Sequence, residues 1–444
     1  MRVVVVGAGE VGSSIAASLA GSHDVVVVDL DDDRVDSLTY SLDVLAIHGD
    51  GTERAVLEEA GVGDADMLIA STDDDETNLA TCGTASTVAD VFTIARVRQR
   101  RYLDTWQQAE GAFDVDFMVC TDLLTAQAIV RITGLPTARD VDSFAGGQIQ
   151  MAEFELPEGS PVSGQTVQEA DRFDSLTFAA VLRNGDVELP RGDTVLADGD
   201  RVVVIGSPES VQQFAADVVS DGAAGAEDVV VVGGSTIGEL TAELLERRGL
   251  SPRLVENDPD RARELAESLP GTRVLEHDAT DQEFLEREHV GDADLVVAAL
   301  DSDERGLLVS LLAKRLGAER TVAVVEEGQY VDVFEAVGVD VGVNPREVTA
   351  EEITRFTRED RTENVAIIES DMAEVLEIEV DADSVLAGRT IREAMADLPE
   401  GLVVGALTRD GTFVTPRGDT VVEPGDHVVV FVRVDVRDEV TAAI

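Results

Sequence analysis

Val3-Val4-Val5-Val6-Gly7-Ala8-Gly9-Glu10-Val11-Gly12 is the stretch that decides the fold. Four β-branched residues make a buried strand. Gly7, Gly9 and Gly12 then read G-x-G-x-x-G, and a helical pattern follows. A parallel strand entering a glycine turn and then a helix gathers backbone N–H groups and the positive end of a helix dipole at one point. A pyrophosphate fits there. The glycines permit the tight turn, the approach of phosphate to backbone, and close packing of helix on strand. An ordinary glycine-rich βα turn reads the same from this motif alone. An acidic residue at the right distance and a second copy of the unit separate the two readings.

Outward from this stretch, residues 2–134 alternate strand and helix. Strand-like runs fall at 3–6, 25–28, 44–47, 67–70, 92–95 and 115–119, with helical patterns between them, as at 54–60 and 76–87. This alternation predicts an α/β fold with a Rossmann-like, doubly wound parallel sheet. Asp29 ends the second strand, 22 residues after Gly7. A Rossmann sheet places there the carboxylate that accepts hydrogen bonds from ribose hydroxyls. Asp31, Asp32 and Asp33 follow, so Asp29 also suits a helix N-cap. Asp50 and Thr52 lie just beyond the third strand, on the ligand edge. Thr52 equally suits a cap for a helix starting at Glu53. The fourth strand runs into Ser71-Thr72-Asp73, and Asn78 lies one turn into the next helix. Arg96 alternates with apolar positions of the fifth strand, within reach of a phosphate or of one of many carboxylates.

Residues 135–222 change character. Short alternating strands at 148–156, 176–182 and 201–205 are separated by turn clusters at Pro190-Arg191-Gly192-Asp193-Thr194 and Asp198-Gly199-Asp200. A small α+β lobe is predicted. Residues 222–225 read as a linker. At Asp228 the first pattern restarts: 229–232 is the strand and Gly233-Gly234-Ser235-Thr236-Ile237-Gly238 the turn. Glu256 matches Asp29, while Asp278 and Thr280 match Asp50 and Thr52. Val290-Gly291-Asp292-Ala293-Asp294 repeats Val62-Gly63-Asp64-Ala65-Asp66 at a spacing of 228, and Tyr330 repeats Tyr102 at the same spacing. Residues 416–420 copy 190–194. Collinear identity at so many points makes the chain a tandem duplication of a Rossmann lobe and a small lobe, with lobes at 1–134, 135–222, 227–360 and 361–444. The repeat nominates a second ligand site at Gly233, Ser235, Gly238, Glu256, Asp278 and Thr280.

The 444 residues suffice for several full cores, and 44% hydrophobic content is globular. No apolar run reaches the roughly 18 residues of a membrane span, and Met1-Arg2 leads straight into a strand with no signal-peptide pattern. A cytosolic protein is expected. Ninety acidic residues against 34 basic ones give a net charge of −56, which repels nucleic acid and anionic lipid. Lys314 is the sole lysine. An acidic, lysine-poor surface suits an extreme halophile, where molar salt screens the repulsion. Cys82 and Cys120 lie in apolar surroundings without C-x-x-C spacing and read as reduced, buried thiols. The five histidines show no metal-ligand spacing.

Taken together, the glycine turn, Asp29, Gly49–Thr52, residues 60–70, Asp75-Glu76-Thr77-Asn78, residues 95–98 and the duplicated lobe order resemble the TrkA family, the cytosolic regulatory subunits of Trk-type potassium uptake systems. The resemblance covers the whole chain. It implies tandem RCK (regulator of K⁺ conductance) domains, each with a Rossmann N-lobe and a smaller C-lobe. It implies binding of NAD(H), with ATP or ADP possible at the same sites. It also implies a homotetrameric ring at the cytoplasmic face, joined to the membrane only through a membrane-embedded potassium-transporting subunit. By matching to the family, the first-lobe ligand residues are Gly7, Ala8, Gly9, Glu10, Val11, Asp29, Thr52, Thr72, Asp73 and Arg96. The second lobe departs: Ser235 stands where Gly9 does, Val324 replaces Arg96, and Gly306 replaces Asn78. A Cβ at Ser235 is expected to crowd a pyrophosphate, so a weaker or differently selective second site is predicted.

Three functions compete. A ligand-sensing regulator needs only a nucleotide with different affinity for two lobe arrangements. Asp29 then favours a free 2′-hydroxyl over a 2′-phosphate. A nicotinamide-dependent dehydrogenase needs a proton donor beside the nicotinamide, and no histidine is placed for it, while Lys314 falls in a helix of the second Rossmann lobe. A non-enzymatic role is expected. An RCK-type regulator of another cation channel or antiporter carries the same lobes.

Overall fold

The computed structural model describes residues 1–21, 23–109, 111–135, 138–183, 186–218, 226–357, 362–368, 372–409 and 411–444. The stretch 222–225, expected to be a linker, lies outside the described residues. The chain forms two compact units, Met1–Val130 with Glu227–Thr354 and Arg131–Ala226 with Arg355–Ile444.

In the first unit the chain runs β1 (Arg2–Val6), α1 (Glu10–Ala20), β2 (Asp24–Asp29), α2 (Asp32–Ser41), β3 (Leu45–His48), α3 (Arg54–Glu59), β4 (Met67–Ala70), α4 (Asp75–Val88), β5 (Phe92–Val97), α5 (Arg100–Gln108), β6 (Phe117–Cys120) and α6 (Thr121–Thr133). The six strands are parallel, in the order β3-β2-β1-β4-β5-β6. The order reverses between β1 and β4, and that switch point is where a doubly wound sheet opens its ligand crevice. Helices cover both faces, so β1 is an unbroken valine run and not an alternating one. Val4 and Val6 pack with Val26, Val28 and Leu68, while Val3 and Val5 are equally buried. The sixth strand starts later than the apolar pattern suggests. Asp116 Oδ2 accepts from the Thr93 N–H at 2.7 Å and from its hydroxyl at 2.9 Å, and the ladder begins beyond that side-chain clamp.

The second Rossmann lobe repeats the order with Arg273–Glu276, Arg253–Glu256, Val229–Val232, Leu295–Ala298, Arg320–Val324 and Val341–Val343 as neighbours. Both glycine turns obey the same steric rule. Gly7 and Gly233 have φ of +104° and +106°, and a Cβ on Gly12 or Gly238 would lie 1.8 or 2.1 Å from the carbonyl oxygen of Gly7 or Gly233. These four glycines are required by the turn itself.

The second unit holds two antiparallel five-stranded sheets. Phe144, Ile149 and Met151 of one share a buried cluster with Ala373, Val375 and Phe431 of the other. Each lobe has a short helix opened by a reciprocal capping box, Thr166 with Glu169 and Thr390 with Glu393. The strands Ala138–Phe144 and Asp186–Glu188 are additional to the three read from sequence. Arg139, Asp140 and Asp142 interrupt the apolar pattern of the former.

Candidate functional site

At the carboxyl ends of β1, β2, β4 and β5 a groove of about 180 Å³ is lined by Gly7, Gly9, Glu10, Val11, Asp29, Asp50, Thr72, Asp73 and Arg96. These sequence-nominated residues come together although they span 90 positions from 7 to 96. The groove also takes in Arg34 and Thr77. Asp29 sits in the glycine turn itself: its Oδ2 accepts from the Ala8 N–H at 2.5 Å and its Oδ1 from the Asp31 N–H at 2.8 Å. It does not cap α2. That role belongs to Asp31, which accepts from the N–H groups of Asp33 and Arg34. A carboxylate offers about four acceptor positions, so Asp29 keeps capacity for hydroxyl donors. The N-cap of α1 is Gly9, with no side-chain cap. The first-turn N–H groups therefore face the groove edge without a competing side chain.

Arg96 is 3% exposed, and its Nη1 lies 3.1 Å from Asp73 Oδ1. The Asp73 pair is one of the two contacts the sequence left open, and Arg96 also lines the groove where a phosphate would be met. Burial pushes the Arg96 pKa down, Arg98 and Arg346 add to the shift, and Asp73 opposes it. Its Nε donates to Thr121 Oγ1 at 3.1 Å. Asn78, fully buried, holds this corner together. Its amide donates to the Thr72 and Arg96 carbonyls, each at 2.9 Å, and its oxygen accepts from the Thr72 N–H at 2.9 Å and the hydroxyl at 2.7 Å. All four hydrogen-bonding positions of the amide are used.

Three nominated residues do not line the groove. Ala8 is buried, and its N–H is the one taken by Asp29. Gly12 packs against Gly7. Thr52 turns to Asp50, donating its N–H at 2.9 Å and its hydroxyl at 2.7 Å to one carboxylate oxygen. Those two bonds hold the Asp50 carboxyl below the usual carboxylate range. Thr52 is not a cap either: α3 starts at Arg54, and its N-cap position is Glu53.

The second lobe places Gly233, Gly238 and Glu256 as in the first: Glu256 Oε2 accepts from the Gly234 N–H at 2.7 Å and Oε1 from the Asp258 N–H at 2.7 Å. Asp278 accepts from the Thr280 N–H and hydroxyl, each at 2.9 Å. Ser235 differs from Gly9 by more than bulk. Its hydroxyl accepts from the Gly238 N–H at 3.2 Å, capping the helix Thr236–Arg247, and donates to the Ala299 carbonyl at 2.8 Å. Against the protein itself a Cβ at this position is unobstructed in the first lobe, where one built on Gly9 meets only Arg34 Nη1, at 3.6 Å. The hydroxyl occupies the helix end that the first lobe leaves open. A cleft of about 50 Å³ beside Ser235, Thr236 and Ile237 has Leu300 and Val324 in its wall, and of the nominated second-lobe residues only Ser235 lines it; Gly233, Gly238, Glu256, Asp278 and Thr280 do not.

The TrkA-N domain family matches residues 3–119 and 229–345, and the TrkA-C domain family matches 151–218 and 375–444. The chain belongs to the TrkA family. The Trk system potassium uptake protein TrkA homolog of Archaeoglobus fulgidus is 39% identical over 435 residues, covering 98% of each chain. The Trk system potassium uptake protein TrkA of Halomonas elongata is 34% identical, covering 97% of this chain and 96% of its own. The fold is that of RCK domains. The GsuK channel bound to NAD superposes with a TM-score of 0.60 at 21% identity, covering 100% of this chain and 79% of that one. The GsuK RCK domain gives 0.60 at 19% identity, covering 100% and 95%.

Within this TrkA-family chain the two Rossmann lobes also reach into each other's sites. Glu10, first residue of α1, pairs with Arg346 Nη1 of the second lobe, and Glu10 Oε1 accepts from the Gly328 N–H at 3.2 Å. Conversely, Asp122 of the first lobe lines the second cleft beside Ser235 and Thr236. Burial pushes the Asp122 pKa up; Glu326 and Asp75 add to this, while Arg98 and Arg96 oppose it. Arg34, Asn78 and Arg346 are the residues whose roles in the site the sequence did not disclose. Arg34 carries a readable signal, since it stands five residues beyond Asp29. The first groove thus presents backbone donors and guanidinium groups for phosphate, and a carboxylate for hydroxyls. Among the described residues, no helix is long and apolar enough to cross a membrane.

Proposed function

We propose that this chain is the regulatory, non-enzymatic subunit of a Trk-type potassium uptake system, and that its first Rossmann lobe is the nucleotide sensor. The observation that carries the reading is the open groove around Gly9 and Asp29, with an uncapped helix end beside a carboxylate. That combination suits the pyrophosphate and ribose of NAD(H), or the phosphates and ribose of ATP or ADP. Asp29 disfavours a 2′-phosphate by like-charge repulsion, so NADP is a poor ligand. The second lobe, with its helix end capped by Ser235, is the weaker site at Gly233, Gly238, Glu256, Asp278 and Thr280. A ligand acts by its differential affinity for two arrangements of the lobes. The protein works in the cytoplasm as a homotetramer docked on a membrane-embedded potassium-transporting subunit; the Trk system names of its relatives support the potassium-uptake partner.

The deciding experiment is thermal stabilisation in concentrated KCl by NAD⁺, NADH, ATP and ADP, comparing wild type with Asp29→Ala and Glu256→Ala. Stabilisation of wild type that is lost in Asp29→Ala supports the sensor. No stabilisation by any of the four sinks it. Co-purification with a Trk-type membrane subunit tests the partner, and co-purification with a different cation channel or antiporter would assign the chain to that system.

A further inference from the structure

Arg34 and Arg261 occupy the same place in the two copies. Each follows an aspartate N-cap: Asp31 Oδ1 accepts from the Arg34 N–H at 3.3 Å, and Asp258 Oδ1 accepts from the Arg261 N–H at 2.9 Å. Their side chains differ. Arg261 lies across its glycine turn, with Nε donating to the Gly234 carbonyl at 2.9 Å and Nη2 to Glu239 Oε2 at 2.5 Å. In the first lobe Ser13 stands where Glu239 does, and its hydroxyl donates to the Ala8 carbonyl at 3.0 Å. The serine thus takes the carbonyl that Arg261 takes in the other copy, and it removes the carboxylate that anchors the guanidinium. Arg34 is left with an ion pair to Asp31 at 3.8 Å and a side chain that is 52% exposed, against 32% for Arg261. Its Nη1 stays at the turn, 3.6 Å from where a Cβ on Gly9 would be.

From this pair we infer that Arg34 is a ligand-binding residue of the first lobe, which takes the phosphate next to the adenosine ribose, and that Arg261 is the same residue tied down as an internal cover over the second turn. A guanidinium beside a glycine turn presents two parallel donors to a phosphate. The adenosine phosphate is common to NAD(H), ATP and ADP, so Arg34 contributes to all of them and does not select among them. The release of Arg34 rests on one exchange, serine for glutamate, on the facing helix. The inference rests on the reading of the first lobe as a nucleotide site.

The test is calorimetric titration of ADP into the full chain in concentrated KCl, using wild type, Arg34→Gln, Ser13→Glu and the double variant. Arg34→Gln should weaken ADP about tenfold. Ser13→Glu should weaken it by a similar factor, because the new carboxylate recaptures Arg34 as Glu239 captures Arg261. The double variant should be no weaker than Arg34→Gln alone, since the carboxylate then has nothing to capture. Melting without ligand checks that each variant is folded. If wild type binds ADP and Arg34→Gln binds it within twofold, the inference is overturned and the nucleotide reading stands. If the two effects multiply in the double variant, Ser13→Glu acts by plain repulsion and the recapture argument fails. If wild type binds no ADP, no NAD⁺ and no ATP, the nucleotide reading falls and takes the inference with it.

Discussion

The Ala8 N–H donates to Asp29 Oδ2 at 2.5 Å, so the carboxylate that ends β2 is built into the glycine turn. The relationship recurs between Gly234 and Glu256 at 2.7 Å. An acidic residue at this position therefore organises the turn before any ribose arrives.

Asp29→Ala should accordingly do two things. It leaves the Ala8 N–H without its acceptor, and it removes the hydroxyl acceptor from the groove. Affinity for NAD(H) or ATP should fall at least tenfold, about 1.4 kcal/mol. Asp29→Asn, which keeps an acceptor oxygen and loses the charge, should bind more weakly than wild type and lose the bias against NADP. Titration of NAD⁺ and NADP⁺ into the three proteins reads this directly.

Asn78→Ala removes four hydrogen bonds at a fully buried position. Leaving buried donors and acceptors unpaired costs about 1–3 kcal/mol for each group. The Thr72 carbonyl and hydroxyl keep Arg96 Nη1 and the Asp74 carbonyl as partners, so the Thr72 N–H and the Arg96 carbonyl are the groups left unpaired, and the first unit should lose about 2–3 kcal/mol in urea unfolding. Asn78→Asp should be no milder, since its oxygens would face the Thr72 and Arg96 carbonyls where the amide now donates.

Gly12→Ala and Gly238→Ala should both be destabilising, because each Cβ would meet a backbone carbonyl oxygen at 1.8 or 2.1 Å. Overpacking of this kind costs about 1–3 kcal/mol or more. Gly9→Ala, with nothing nearer than Arg34 Nη1 at 3.6 Å, should melt like wild type while binding nucleotide more weakly. Equal melting of all three variants would refute the division between turn-forming and ligand-facing glycines.

In the second unit the Asp140 carboxyl is pushed up to about 7, first by burial, then by Asp142 and Glu153, with Arg131 opposing. A carboxyl whose pKa is higher folded than unfolded holds more protons in the folded state. Its stabilising contribution is complete below the unfolded value of 3.8 and is lost as pH climbs to about 7. Asp140→Asn should raise the melting temperature at neutral pH and flatten the fall between pH 5 and pH 7. Parallel melts at the two pH values test it.

A net charge of −56 makes stability depend on salt. Raising KCl from about 0.1 M to about 1 M shortens the Debye length from about 10 Å to about 3 Å. The melting temperature should rise throughout that range, in contrast to a protein near neutrality.

The Rossmann lobes were legible because their strands are buried on both faces and their turns need glycine at fixed spacing. Both properties are local. Asp29, Asp50, Thr72, Asp73 and Arg96 were found for the same reason, since a doubly wound sheet brings strand ends together whatever the loops do. Asp29 also suited a cap by spacing, and the structure gives that place to Asp31, two residues on. Thr52 suited a ligand residue or a cap by spacing; it is not the cap, and its N–H and hydroxyl turn to Asp50 two residues earlier. The strand Ala138–Phe144 was hidden by Arg139, Asp140 and Asp142; Arg139 meets Glu155 across the sheet at 2.6 Å, and Asp142 meets Arg131 at 3.9 Å. Arg34 was missed because its freedom depends on Ser13, and Arg346 because it arrives from the other copy.

Asp122 and Arg346 occupy corresponding places, each three residues past a last-strand residue, Val119 or Val343, that pairs with Arg96 or Val324. One copy sends a cation to Glu10, and the other sends a carboxylate to the end of the helix headed by Ser235. Two identical subunits related by a twofold axis cannot do this, because whatever one offered the other would have to offer back. Fusion of the copies into a single polypeptide lifts that constraint. It lets the two crevices diverge, one keeping an open helix end and the other a helix end closed by its own serine.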